Sequence, residues 1–137
     1  MKVAIYSIVL LTVTCTALQA QSTNVQSDAI LWTINGLTDV NANVTVAYEC
    51  KFISRGGGVD WVQDNGNFTM HFSVSETTGD WSDPAQEGSI TFSVSGEGLT
   101  GQFTISRSAD GLRATLNLSG GTYPINHIYP VQSYEKL

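Results

Sequence analysis

The stretch Phe68-Thr69-Met70-His71-Phe72-Ser73-Val74-Ser75 decides the fold. Every second residue is apolar and the intervening ones are polar. That is the period of a β-strand with one face buried, because successive side chains point to opposite sides of the pleat. The same alternation extends outward in both directions. Toward the N-terminus, Val44, Val46, Tyr48, Cys50 and Phe52 share a face, as do Ile30, Trp32 and Ile34, and Val59-Asp60-Trp61-Val62 is a short strand. Toward the C-terminus the apolar rows are Ile90/Phe92/Val94, Phe103/Ile105, Leu112/Ala114/Leu116/Leu118 and Tyr123/Ile125/His127/Tyr129. The pattern predicts about eight strands and no helix after residue 20.

The connections fix the order. Asp64-Asn65-Gly66 and Asp110-Gly111 supply residues that tolerate positive φ in tight hairpins, and Ser119-Gly120-Gly121 and Gly96-Glu97-Gly98 are similar. Short hairpins join neighbours, so the chain reads as an antiparallel meander. Two architectures follow: a barrel-like curl, or a two-sheet β-sandwich. Pro124 and Pro130 bear on the choice. Proline is confined to edges, strand starts and bulges, so these two predict an edge strand and an incompletely closed barrel. The one long connection, Glu76 to Gly88, is placed to cap an end or to cross to a second sheet.

Residues 1–20 read as a cleaved secretory signal: Lys2, the apolar run Val3–Val13, and Ala17-Leu18-Gln19-Ala20 before Gln21. Thr14 before Cys15 departs from the small residue a lipobox needs, which argues against lipid anchoring. Residues 21–137 then form a single all-β domain with one cysteine, Cys50, and a net charge of −7. The expected location is the periplasm or the extracellular space, with no transmembrane segment in the mature chain. Asn43, Asn67 and Asn117 head glycosylation sequons. The signal reads as bacterial, which would leave them unmodified.

Charged residues make up 13% of the chain, and acids outnumber bases 12 to 6. Nucleic acid is therefore excluded as a partner, since phosphate affinity comes mainly from Lys and Arg. No HxH, CxxC or HExxH spacing supports a metal, and nothing calls for a cofactor. No nucleophile–base motif is present. His127, Tyr129 and Asp110 are the residues a small barrel enzyme would have to use. Binding is the better-supported class. Trp61 and Trp81, beside Asp60 and Asp83, pair amphipathic rings with directional acceptors, as carbohydrate or another small molecule would require. The alternative is that both rings serve the core, and a structural or adhesive protein that binds other proteins is the competing function.

Overall fold

The computed structural model describes residues 22–137. The expected signal segment and Cys15 lie outside them. Eight antiparallel strands form a closed barrel in simple sequence order: β1 (Ile30–Asp39), β2 (Val44–Arg55), β3 (Gly58–Gln63), β4 (Phe68–Thr78), β5 (Gly88–Gly96), β6 (Leu99–Ser108), β7 (Gly111–Ser119) and β8 (Ile125–Lys136). The only helical piece among the described residues is a single 3-10 turn, Asp64–Gly66. The predicted hairpin chemistry is present. Asp64, Asn65 and Gly66 all have positive φ, as do Glu97 and Gly98, so each reversal fits the right-handed twist of its strands.

The alternating apolar rows fill the interior. Trp32, Phe52, Phe92, Phe103 and Tyr129 are fully buried. The Phe52 ring lies 4.8 Å from Phe103 and 5.1 Å from Tyr129, and stacks at 5.9 Å on Trp61. These are ordinary aromatic contact distances, and the barrel centre is packed rather than hollow. The buried Trp32 indole N–H donates to Ser54 Oγ at 2.8 Å, which satisfies two polar groups at once.

Closure corrects the edge-strand expectation. β8 pairs with β7 on one side and with β1 on the other, from Ile30↔Lys136 to Asp39↔His127. Pro124 lies before β8 begins, so it costs the ladder nothing, and Tyr123 is outside the strand and 81% exposed. Pro130 sits where the β1–β8 register breaks, between Ile34↔Val131 and Thr38↔Ile128. A bulge is one of the few places where a sheet tolerates a residue without an N–H. Gly36 faces the proline there, and a Cβ on Gly36 would stand 3.0 Å from Pro130 Cγ. The sequence therefore accommodates Pro130 within a continuous wall.

The two ends differ. At one end, the segment before β1 and the loop Gly79–Glu87 fold across the opening. The Val25 N–H donates to the Ser82 carbonyl at 2.8 Å and Gln26 Nε2 to the Gly79 carbonyl at 3.0 Å. Val25 and Trp81 are buried beneath them. We call this the closed end, and it shows that the long connection caps the barrel. The open end carries the turns β1–β2, β3–β4, β5–β6 and β7–β8.

Candidate functional site

Strand lengths create the opening. β2 has twelve residues and β3 only six. The β2–β3 ladder runs from Arg55↔Gly58 to Lys51↔Val62 and stops. Beyond that point β2 continues toward the open end paired with β1 alone, while the chain after β3 turns away through Asp64–Gly66. The wall splays there into a cleft of about 390 Å³. This is within the size range of small-molecule sites, about 300–1,000 Å³.

The apolar lining is Ile34 and Cys50, both nearly buried, and Val62, which stands on the same face as Lys51. The rest of the lining is Thr33, Glu49, Lys51, Asn65, Gly66 and Gln132. Register explains the row, since Thr33 lies opposite Lys51 and Lys51 opposite Val62. Gln132 falls next to the irregular stretch of β8. The side chains of Thr33, Glu49, Lys51, Asn65 and Gln132 make no hydrogen bond or ion pair with other described residues; the four ion pairs lie elsewhere. Glu49 and Lys51, two residues apart on β2, stand about 7 Å from each other along the strand. The cleft thus offers one cation, one anion and several neutral donors and acceptors beside the apolar Val62.

Cys50 does not supply a nucleophile. Burial pushes its thiol up to about 11, and the neighbouring Trp61 N–H, which favours a thiolate, offsets this only in part. That indole N–H is buried without a properly aligned acceptor.

Inside the open end lies a second polar group. His127 Nδ1 and the Tyr129 hydroxyl are 2.9 Å apart, and His127 Nε2 is 3.7 Å from Asp39 Oδ2. Burial lowers the pKa of His127 and Asp39 opposes that shift, so the ring is held neutral near pH 7. Burial raises the pKa of Tyr129 and keeps its phenol protonated. Next to this group, the Tyr48 hydroxyl donates to Gln63 Oε1 at 2.7 Å. His127 and Tyr129 are therefore together, as a barrel enzyme would need. Asp110, however, sits in the β6–β7 turn at the closed end, and the carboxylate near His127 is Asp39.

The four residues expected to engage a ligand are dispersed. Trp61 is 5% exposed and lies in the aromatic core beside Phe52 and Tyr129. Trp81 is 6% exposed and plugs the closed end, its Nε1–H donating to the Gln86 carbonyl at 2.9 Å. Neither presents a ring face to solvent. Asp60 projects from the outer face of β3 and bonds Arg55 at 3.0 Å and His71 at 2.8 Å. Asp83 accepts the Ala85 N–H at 2.9 Å and so orders its own loop. The cleft residues were not singled out by pattern. Their one sequence signal is that β2 is far longer than β3, which leaves part of β2 without a neighbour. Asn43, Asn67 and Asn117 are all exposed.

No protein-family model, curated protein or solved structure matches the chain.

Proposed function

We propose that the protein is a secreted, non-catalytic binding protein that takes a small hydrophilic molecule in the cleft between β2 and the β3–β4 turn. A polyhydroxylated molecule of about monosaccharide size is the class that suits the site best. The observation that carries this reading is the convergence of Thr33, Glu49, Lys51, Asn65 and Gln132, whose side chains have no partner among the described residues, on one cleft of about 390 Å³. Polar groups free to exchange water for ligand hydroxyls supply orientation, and Val62 offers a small apolar surface for C–H faces. The Cys50 thiol, pushed up to about 11 by burial, is not held as a thiolate, which supports binding over thiol catalysis.

The test is a panel of neutral, acidic and amino sugars followed by amide chemical-shift mapping. The expected result is a saturable perturbation of Thr33, Glu49, Lys51, Asn65, Gly66 and Gln132. It should disappear in Val62→Trp, which fills the cleft. Perturbations confined to other faces, or equal binding by the filled variant, would overturn the reading.

A second reading rests on a different observation. Among the described residues six large apolar side chains are exposed, and five of them, Val40, Val44, Val46, Phe68 and Tyr123, belong to the open end. Such a concentration marks a protein-contact surface.

A further inference from the structure

The part of β2 beyond the cleft is an open sheet edge. Val44–Ala47 pair with Asp39–Gly36 of β1, while the β2–β3 ladder reaches no further than Lys51. All four residues are exposed, including Val44 at 48% and Val46 at 45%. Yet both valines stand on the face that Cys50 and Phe52 continue into the core. The strand therefore presents unpaired backbone along one side and an uncovered apolar row on its inner face. Natural edges are usually guarded by proline, lysine or a bulge. Val44-Thr45-Val46-Ala47 contains no proline or charge, and its pairing with β1 is regular up to the bulge between Ala47 and Cys50.

We infer that this edge pairs with the same edge of a second copy, antiparallel about a two-fold axis at Val46, and joins two barrels into a dimer. This inference deepens the protein-contact reading of the open end; the edge adjoins the cleft at Glu49, and its test reads self-association rather than sugar binding.

Self-complementarity carries the choice of occupant. With Val46 on the axis, each Val46 faces its counterpart and Thr45 faces Ala47. No charge lies within Val44–Ala47, so no like charges meet there; Glu49 lies beyond it, in the irregular stretch between Ala47 and Cys50. The backbone is consistent with that register. The Val46 carbonyl lies toward β1, 3.7 Å from a Cβ built on Gly36. By the alternation of a ladder, Thr45 and Ala47 then turn their N–H and C=O groups to the open side. Thr45 and Ala47 are the residues that would exchange hydrogen bonds across the axis. Val46 would fall at a non-hydrogen-bonded position, where facing side chains approach most closely. An isologous contact of this kind closes at two subunits and does not propagate.

Sedimentation velocity of the purified protein from about 1 to about 500 µM tests the inference, a range that covers the affinities of small interfaces. The expected result is a reversible monomer–dimer equilibrium. The protein is net negative, so added salt should strengthen it by screening repulsion between the copies. Val46→Lys puts two like charges face to face and should weaken the dimer about 100-fold or more. Ala47→Pro removes an N–H on the open side while sparing the β1 ladder, and should also give monomers with an unchanged circular dichroism spectrum. Asp110→Lys, at the opposite end, should leave the equilibrium intact. A monomer throughout the range overturns the inference, as does a dimer that survives both Val46→Lys and Ala47→Pro. A monomer that captures unrelated extended peptides on this edge would also refute the choice of partner.

Discussion

Gly88→Ala should be among the most damaging single-methyl additions in the molecule. Gly88 opens β5 and is fixed by its pairing with Arg107 of β6. A Cβ at this position would overlap Cδ1 and Cγ of the Trp81 indole. The strand is held by its ladder, so the ring must leave. In an unconstrained site, Gly→Ala gains about 0.4–1 kcal/mol from the unfolded state. Here that gain is outweighed by loss of the Trp81 plug. Removing a buried Trp side chain costs about 3–5 kcal/mol, and the Nε1–H bond to Gln86 goes with it. We expect a destabilisation of about 3 kcal/mol, which for a domain of this size lowers Tm by roughly 12 °C. Trp81→Ala alone should cost a similar amount. The double variant should be no worse than Trp81→Ala, since the methyl then meets no ring; the coupling is therefore about 3 kcal/mol. Urea unfolding followed by far-UV circular dichroism measures all three variants. If Gly88→Ala lies within about 0.5 kcal/mol of the parent, or the two changes simply add, Trp81 does not plug the closed end as described.

Other consequences are open to direct measurement. Phe72, 3% exposed on the inner face of β4, should cost about 3–5 kcal/mol when cut to Ala, read from the urea midpoint. Ser54→Ala should cost about 1–3 kcal/mol despite its small size, because it leaves the buried Trp32 N–H without an acceptor; chemical denaturation would show it. His127 has a lowered folded pKa, so the unfolded chain binds more protons around its ordinary value of 6.5. Stability should then rise with pH through that region and fall on acidification below it, and His127→Gln should flatten that part of the profile. Cys50, with its thiol pushed up to about 11 and only 6% exposed at the cleft, should react with a chromogenic disulfide far more slowly than an exposed cysteine; labelling of native protein at the rate of a free thiol would contradict its placement.

The strands were legible because each buries one face, so the Phe68–Ser75 alternation and its counterparts announce themselves. The turns were legible because Asp-Asn-Gly and Gly-Glu-Gly carry the positive φ values that hairpins demand. Closure was not, because whether Pro130 ends a sheet or occupies a bulge depends on Gly36, which comes close only in the folded wall. The open-end polar group was hidden by the same irregularity. Strict alternation from Ile34 would turn Thr38 inward and Asp39 outward. The register break between Ile34 and Thr38 shifts the phase, and Asp39 comes opposite His127. Trp81 could not be assigned from its loop, since its burial depends on a glycine seven residues later that leaves room for its ring. The cleft arises where a ladder ends, and a ladder's end depends on two strands at once.

The wall closes through β1 and β8, and the Val44–Ala47 part of β2 pairs with β1 alone. Nuclear Overhauser contacts between backbone protons test this most directly, at a protein concentration low enough to hold the monomer. They should link Thr33 to Ser133 and Leu31 to Glu135 across the closure, and should link Val44–Ala47 to β1 alone. Absence of the β1–β8 contacts, with β8 amides exchanging as a free edge, would contradict it.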